Sequence, residues 1–440
     1  MKEADTIFAI SSGAGLSGVC VIRVSGPEAF NAAGKLVGRP PSRRRAGLRE
    51  LRNPTSGEVI DRGIVITFAG PRSFTGEDIC EFHVHGGRAV QGAMLDALGA
   101  LPGLRAAEAG EFTRRAVRNG RLDLLAAEGL GDLIQARTEG QRRQALHHSL
   151  GKASSVIEDW RHRLIAILGR VEAAVDFIEE PQVAEDALGV ATESLKSLVA
   201  EMREALTVAR RGAAIREGVR VVLAGPPNVG KSSLLNVLAR REAAIVSAIP
   251  GTTRDVIEVM IELAGIPVIV SDTAGLRDGS GDEIETAGME RTRRELKAAD
   301  IIVWVTAADG SQDDSPPLID SDPIWIENKA DLGHRLRDGP DYRLSAKTGS
   351  GMENFIGALE ARVAEMCSFA EPATLIRPRH EQAMRTCVSH LEAALDSPPE
   401  RIELVAERLR GAAHALGMVT GTIGVEDVLD SIFREFCIGK

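Results

Sequence analysis

The sequence predicts a multidomain α/β protein: an N-terminal α+β domain, an all-helical domain in two pieces, and a doubly wound α/β domain inserted between those pieces. Three observations predict it. At 440 residues the chain exceeds what one hydrophobic core organises. The apolar pattern changes from short alternating runs to a spacing of three and four near Gly110, returns to strand–helix alternation near residue 216, and turns helical again after about Pro372. A glycine-rich turn, Gly225 to Ser232, joins an apolar β-rich run to an apolar helical run.

The first region, residues 1–118, alternates β-rich runs at Thr6–Ile10, Val19–Val24, Ile64–Phe68 and Ile79–Val84 with a helical pattern at Ala89–Leu98. Gly13, Gly15 and Gly18 spell G-x-G-x-x-G, but V-C-V-I-R-V follows, which has strand character where a dinucleotide fingerprint requires a helix. A Rossmann site is therefore excluded. Alternation through D-I-C-E-F-H-V-H puts Glu81, His83 and His85 on one strand face. Without a third placed ligand this reads as a structural or small-molecule-facing set rather than a metal centre.

Residues 119–215 carry long helical stripes such as Leu122, Leu125, Ala126 and Leu130, or Leu164, Ile167, Leu168 and Val171, with Pro181 and Gly212 as punctuation. Residues 216–369 alternate strands and helices, and residues 370–440 return to helix at Glu381–Leu395, Glu403–Leu416 and Val425–Phe436. Neither helical part completes a core alone, so the two are expected to pack together.

Lys and Arg total 53 against 63 Asp and Glu, and a net charge of −10 argues against a protein that coats nucleic acid by bulk electrostatics. Any RNA contact must be local. Arg39–Arg52, with six arginines to one glutamate, Arg114–Arg121 and Arg291–Lys297 are the basic stretches, each read first as solvated surface. Cysteines at 20, 80, 367, 387 and 437 are odd in number and form no C-x-x-C pair, which predicts reduced thiols and no zinc site. The N-terminus lacks a signal-peptide pattern and no run of about eighteen apolar residues occurs, so a soluble, cytoplasmic protein is expected, with no membrane partner.

The chemistry concentrates in the inserted domain. G-P-P-N-V-G-K-S matches the phosphate-binding loop pattern: its glycines let backbone N–H groups curl round a phosphate, Lys231 neutralises phosphate oxygens, and the Ser232 hydroxyl suits Mg²⁺. Asn228, Val229, Gly230 and Ser233 complete the loop. D-T-A-G (Asp272, Thr273, Ala274, Gly275) follows a strand, placing a carboxylate near the Mg²⁺ shell and an N–H near the terminal phosphate. N-K-A-D contributes Asn328, Lys329 and Asp331, whose carboxylate matches the N–H edge of guanine and not adenine; Ser345, Ala346 and Lys347 supply donors for the guanine carbonyl. These motifs, in this order, resemble a translation-factor-type small GTPase, a Ras-like P-loop G domain. Leu276 occupies the position after D-T-A-G where a Ras-like protein carries a water-orienting glutamine, so a substitute is needed. Ser247, Ala248, Ile249, Pro250, Gly251, Thr252 and Thr253 lie where the first switch loop belongs; Thr253 is the second hydroxyl ligand expected for Mg²⁺, and Arg254 a possible charge donor.

Motifs near both ends narrow the resemblance. G-V-C-V-I-R-V-S-G, S-F-T-G-E-D-I-C-E-F, N-G-R-L-D-L-L-A-A-E, I-P-G-T-T-R-D-V and the terminal C-I-G-K make the chain similar to the MnmE (TrmE) family, over nearly its whole length. The resemblance implies a homodimeric GTPase that works with the flavoprotein MnmG, in a heterotetramer-type complex, on carbon 5 of the wobble uridine of certain tRNAs. The group installed is carboxymethylaminomethyl or aminomethyl, built with a folate one-carbon unit. It further implies 5-formyl-tetrahydrofolate contacts at Arg23, Glu81, Arg121 and Lys440, with Arg121 standing where relatives often have lysine. It implies K⁺ held by Asn228, the Ser247 and Ile249 carbonyls and Thr252, and a water-positioning role for Glu285; Cys437, with Lys440 in the C-I-G-K tail, is by its own chemistry a candidate for a chemical role. An extra residue before Asp282, Pro250 inside the switch loop, and a short segment between Ala308 and Ile324 depart from the family pattern.

Two other readings compete: a GTP-gated RNA or ribosome-assembly switch, and a folate-binding scaffold without modification chemistry. No KH-type G-x-x-G context follows the G domain, which counts against the first. Analysis of wobble nucleosides from cells lacking the protein separates all three.

Overall fold

The computed structural model describes residues 5–13, 15–176, 181–241, 258–272, 295–309, 322–333, 339–367, 373–398, 401–421 and 439. The architecture is multidomain α/β. By packing, the chain forms two compact units: Met1–Gly131 with His148–Leu195 and Ser389–Lys440, and Asp132–His147 with Lys196–Val388.

In the first unit, strands β1 (Thr6–Ile10), β2 (Cys20–Ser25), β3 (Gly47–Arg52), β4 (Val59–Phe68), β5 (Ile79–Val84) and β6 (Leu104–Ala106) form one sheet in the order β3-β4-β5-β2-β1-β6. Neighbours are antiparallel except β6, which runs parallel to β1. Alternation directs Cys20, Ile22 and Val24 inward while Val21 and Arg23 stay half-buried on the other face. Helices α1 (Ala29–Val37) and α2 (Arg88–Gly99) close the core, where Leu36, Met94 and Leu98 pack with Ile22, Leu51, Val65 and Phe82. The segment after the Gly13–Gly18 glycines is strand β2, so no helix starts there. Strand β3 falls in a stretch read only as basic surface. As an edge strand with Leu51 its one fully buried side chain, it carries almost no periodic signal.

After α3 (Glu111–Arg118) come α4 (Leu124–Gln135), α5 (Glu139–Ser149), α6 (Lys152–Asp176) and α7 (Pro181–Glu217). On α6, Ile157, Trp160, Leu164, Ile167, Val171 and Ala174 are buried at spacings of three and four, which explains both its helical form and its single packed face. Each large side chain so buried contributes roughly 2 kcal/mol. After α8 (Lys231–Arg241), α9 (Met352–Cys367) and α10 (Pro378–Leu395), helix α11 (Ile402–Thr420) packs along α6 in the same unit. It buries Ala406, Leu409, Ala412 and Leu416 and ties Arg410 to Glu172 at 2.9 Å. Gly212 does not end α7 as expected. A Cβ there would lie 2.6 Å from the Ala373 Cβ, so this glycine serves close packing, and the chain turns instead at Gly218, φ 100°. The helix expected at Val425–Phe436 lies outside the described residues.

The second unit holds β7 (Val219–Ala224), β8 (Glu258–Leu263), β9 (Ile266–Asp272), β10 (Ile301–Ala307), β11 (Ile324–Asn328) and β12 (Tyr342–Arg343), ordered β12-β11-β10-β7-β9-β8 and parallel except for β8. The central strands are continuous apolar runs because both faces are covered. Val221, Leu223, Val268, Val270, Val303 and Val305 are buried, with Leu234 and Leu238 of α8 and Phe355 and Leu359 of α9 packed into the same cluster. Strands β7, β9, β11 and β12 all deliver their loops to one sheet edge, the carboxyl ends, where such folds build sites. Among the described residues, no helix is long and apolar enough to cross a membrane.

Candidate functional site

Strand β7 ends at Ala224 and α8 begins at Lys231, so residues 225–230 form the loop between them. Two glycines in it are sterically required. At Gly225 (φ 139°) a Cβ would sit 2.0 Å from the Val305 carbonyl oxygen, and at Gly230 (φ 95°) one would sit 2.3 Å from Asn328 Nδ2. The loop thus lies directly on β10 and on the end of β11. Asn228 also adopts a left-handed conformation, φ 62°, and is exposed. Lys231 is 5% exposed, its Nζ donating to the Gly225 oxygen at 3.0 Å and the Pro226 oxygen at 2.8 Å. The first N–H groups of α8 have no intrahelical acceptor and face the loop, which makes the turn a ready anion cradle.

Strand β9 brings Asp272 level with Leu223, one residue before β7 ends, and the Ser232 hydroxyl donates to Asp272 Oδ2 at 2.5 Å. A hydroxyl and a buried carboxylate side by side are hard oxygen donors of the type Mg²⁺ takes. The donor set fits the ion.

At the ends of β11 and β12, Asn328 is 2% exposed and acts as a staple. Its Nδ2 donates to the Val229 oxygen at 2.9 Å and its Oδ1 accepts from the Ala346 N–H at 3.0 Å. One side chain thereby ties the phosphate loop to the loop after β12. Motif reading places Asn328 among the nucleotide-binding residues; its bridging role depends on contacts 99 and 18 residues away, which no local pattern reveals. Lys329 takes a left-handed turn, φ 63°, and pairs with Asp309 at 3.1 Å. That turn leads into Ala330–Leu332, a short 3₁₀ helix carrying Asp331. The Ser345 hydroxyl donates to Asp331 Oδ1 at 2.6 Å and holds that carboxyl below its usual range, with Lys347 adding to the effect. An ionised, exposed Asp331 has acceptor capacity left for an N–H edge. Asn228, Val229, Gly230, Lys231, Ser232, Asp272, Asn328, Asp331, Ser345 and Ala346 therefore converge on one sheet edge, with Ser233 beside them on the first turn of α8 and Lys347 next to Ala346. Ser247 to Thr253, Thr273, Ala274, Gly275 and Glu285 lie outside the described residues.

In the first unit, Arg23 and Glu81 stand opposite each other on β2 and β5, with Arg23 Nε to Glu81 Oε1 at 2.9 Å. The Arg23 guanidinium lies 5.3 Å from the Phe74 ring centre and 5.8 Å from that of Phe112. A half-buried, aromatic-backed cation beside a carboxylate suits a planar polar ligand. His83 Nε2 is 3.5 Å from Glu81, whereas His85 lies beyond β5, exposed, and pairs with Asp61 at 2.9 Å. Among the described residues no group of three such side chains forms a metal site. Arg121 donates from Nε to the Ser73 oxygen at 3.2 Å and lines a cavity of about 650 Å³ with Asp123 and Glu158. Lys440 and Cys437 lie outside the described residues. Sequence reasoning missed Glu77 and Arg115. Glu77 accepts from Ser25 Oγ at 2.7 Å and from Arg115 Nη1 at 3.1 Å, and its signal was its place in S-F-T-G-E-D.

A family model described as the MnmE helical domain matches residues 124–437, and one described as the GTP-binding protein TrmE N-terminus matches residues 6–121. The chain is 48% identical over 444 residues to the tRNA modification GTPase MnmE of Methylobacterium sp. (strain 4-46), covering 99% of this chain and all 100% of that protein. To the protein of the same description from Azorhizobium caulinodans it is 47% identical over 439 residues, with both chains covered to 100%. Among solved structures, the G domain of the T. maritima FeoB iron transporter is similar over 34% of this chain and 99% of its own, at 22% identity and a TM-score of 0.24. Full-length identity at this level, with the phosphate loop and its staple in place, means that the chain belongs to the MnmE (TrmE) family of GTPases that take part in tRNA modification.

Proposed function

We propose that this GTPase is activated by K⁺ and hydrolyses GTP as its G domains pair in a homodimer. With MnmG it modifies carbon 5 of the wobble uridine of certain tRNAs, adding a carboxymethylaminomethyl or aminomethyl group from a folate one-carbon unit. The domains are read as residues 1–118, 216–369, and a helical domain made of 119–215 with 370–440. The observation that carries the K⁺ reading is Asn228: exposed at φ 62° in the middle of the phosphate loop, its side chain takes no partner among the described residues. Its amide oxygen is a hard donor beside the cradle. With Asn228 this reading places the Ser247 and Ile249 carbonyls and Thr252 around K⁺, and Ser232 and Thr253 on Mg²⁺. When bound, these cations supply fixed positive charge beside the phosphates, where charge develops during hydrolysis.

The chain's own residues do the rest. Lys231 presents an ammonium at the loop, Asp331 accepts from the guanine N–H edge, and Asn328 keeps the phosphate and base loops in register. Glu285 positions the attacking water, taking the part of the glutamine that Ras-like proteins carry where this chain has Leu276. Arg23 and Glu81, joined by Arg121 and Lys440, hold the folate, and Cys437 takes part in the modification. Steady-state GTP turnover measured in K⁺ and again in Na⁺ tests the cation mechanism: a marked rate advantage in K⁺ is expected, and equal rates would refute it.

A further inference from the structure

Residues 35–72 hold nine cationic side chains and three acidic ones, in a chain whose net charge is −10. Six arginines, Arg39, Arg43, Arg44, Arg45, Arg49 and Arg52, lie on β3 and on the connection that leads into it from α1. Strand β3 is the edge of its sheet. The cluster is ordered by its own backbone: Arg44 sits at φ 60° with its N–H on the Thr67 oxygen at 2.8 Å, and the Arg45 N–H closes a turn on the Ser42 oxygen at 3.0 Å. Aromatic rings back two of the guanidinium groups, Arg43 over Phe30 and Arg44 over Phe68, each 5.7 Å from the ring centre. Arg49 bonds only backbone oxygens, those of Arg39 and Leu48.

Among the described residues, Arg52 is the one member of the six with a carboxylate partner, Glu50 at 2.6 Å. Of the other two acids in this stretch, Asp61 on β4 is held by His85, and Glu58 makes no ion pair among the described residues. A groove of about 680 Å³ at this edge is lined by Lys35, Arg49, Arg52 and Arg62, with Glu50 its one acid. Beside that groove, the exposed guanidinium forks of Arg39, Arg43, Arg44 and Arg45, without carboxylate partners among the described residues, match phosphate oxygens in geometry as well as charge. The acidic remainder of the chain does not cancel them, because the screening length at physiological salt is about 8 Å.

We propose that this arginine-rich edge of the N-terminal sheet is a surface on which the chain holds the phosphodiester backbone of folded RNA. The inference rests on the tRNA-modifying role of the family and not on K⁺ or folate, so Na⁺ equalling K⁺ in GTP turnover would leave it untouched. The test is fluorescence anisotropy of a labelled, unmodified tRNA transcript with the full chain over a range of salt concentrations. The variant Arg39→Gln/Arg43→Gln/Arg45→Gln is expected to bind at least about tenfold more weakly and to lose roughly 2 to 3 from the slope of log affinity against log salt, near 0.9 for each phosphate contact. The control Arg142→Gln/Arg143→Gln removes arginines that share Glu139 at 2.8 Å and is expected to change affinity less than about twofold.

Unchanged affinity in the triple variant, or an equal loss in the control, overturns the proposal. A second measurement on the unaltered chain is independent of folding in the variant: phenylglyoxal modification of Arg39, Arg43 and Arg45, mapped by mass spectrometry, should be suppressed by tRNA. Equal modification with and without tRNA overturns it. So does arginine-dependent pelleting with phosphatidylglycerol vesicles in the absence of any effect on tRNA.

Discussion

Replacing Asn328 by alanine isolates the contact that joins the two halves of the nucleotide site. The side chain is 2% exposed and makes two hydrogen bonds, to the Val229 oxygen at 2.9 Å and from the Ala346 N–H at 3.0 Å. Each lost bond costs about 1 kcal/mol net, and leaving the carbonyl of Val229, itself 3% exposed, without a partner adds a desolvation penalty of similar size. The sum is about 3 kcal/mol. If that energy serves to hold the phosphate loop in its binding geometry, the dissociation constant of a guanine nucleotide rises roughly a hundredfold. Titrating the full chain with a fluorescent N-methylanthraniloyl GDP measures it directly. Asn328→Asp is a stricter companion: it keeps an acceptor for Ala346 but sets a buried carboxylate against the Val229 oxygen, so it should be at least as damaging. A change below about threefold for the alanine variant, or near-normal binding by the aspartate variant, would refute the staple.

Two further outcomes follow from the burial of titratable groups. Burial alone would raise the Glu111 carboxyl, but hydrogen bonds from Arg105, the Glu108 N–H and Arg115 outweigh it and hold the group down at about 2. A depressed folded value means the contribution is complete above the unfolded value of about 4.5 and is lost as pH falls through about 2. Glu111→Gln should therefore cost roughly 2 kcal/mol at neutral pH, discounted because Arg105 is 42% exposed, and the deficit relative to the parent chain should close across that window. Stability followed by circular dichroism checks it, and a deficit that persists unchanged at the acid end would count against the ion pairs. Burial likewise pushes the Cys387 thiol up to about 12 and Cys367 to about 11, the latter helped by Asp300. It pushes Cys80 higher still, with the Glu81 charge adding to it. Iodoacetamide at mildly alkaline pH, followed by peptide mapping, should leave these three unlabelled in the folded chain, and early labelling of any one would contradict its burial.

Legibility differed by element for identifiable reasons. The α6 stripe from Ile157 to Ala174 could be read because a buried face on a straight helix imposes a spacing that sequence displays directly. Strands β1 and β5 fell at Thr6–Ile10 and Ile79–Val84, where the β-rich runs stood. Strand β3 was invisible because an edge strand with one buried side chain has no period to detect. Gly212 was misread as a helix stop because a glycine that admits a neighbouring backbone and one that ends a helix are identical in one dimension. Only the Ala373 side chain, far along the chain, distinguishes them.

The sequence by itself determined the chemistry on offer: a phosphate-loop pattern with its lysine and serine, acids in motifs of the kind that serve Mg²⁺ and guanine, and an arginine cluster in an acidic chain. These are local, because a loop that wraps a phosphate needs its glycines and its lysine at fixed neighbouring positions. What only the tertiary structure decided is which groups meet. Asn328 became a staple between Val229 and Ala346, Arg23 found Glu81 across two strands, and the arginines of residues 39–52 gathered at an exposed sheet edge, only Arg52 with a carboxylate partner among the described residues. Such pairings depend on strand order and register, which are set by burial summed over the whole core and leave no mark at the residues they bring together.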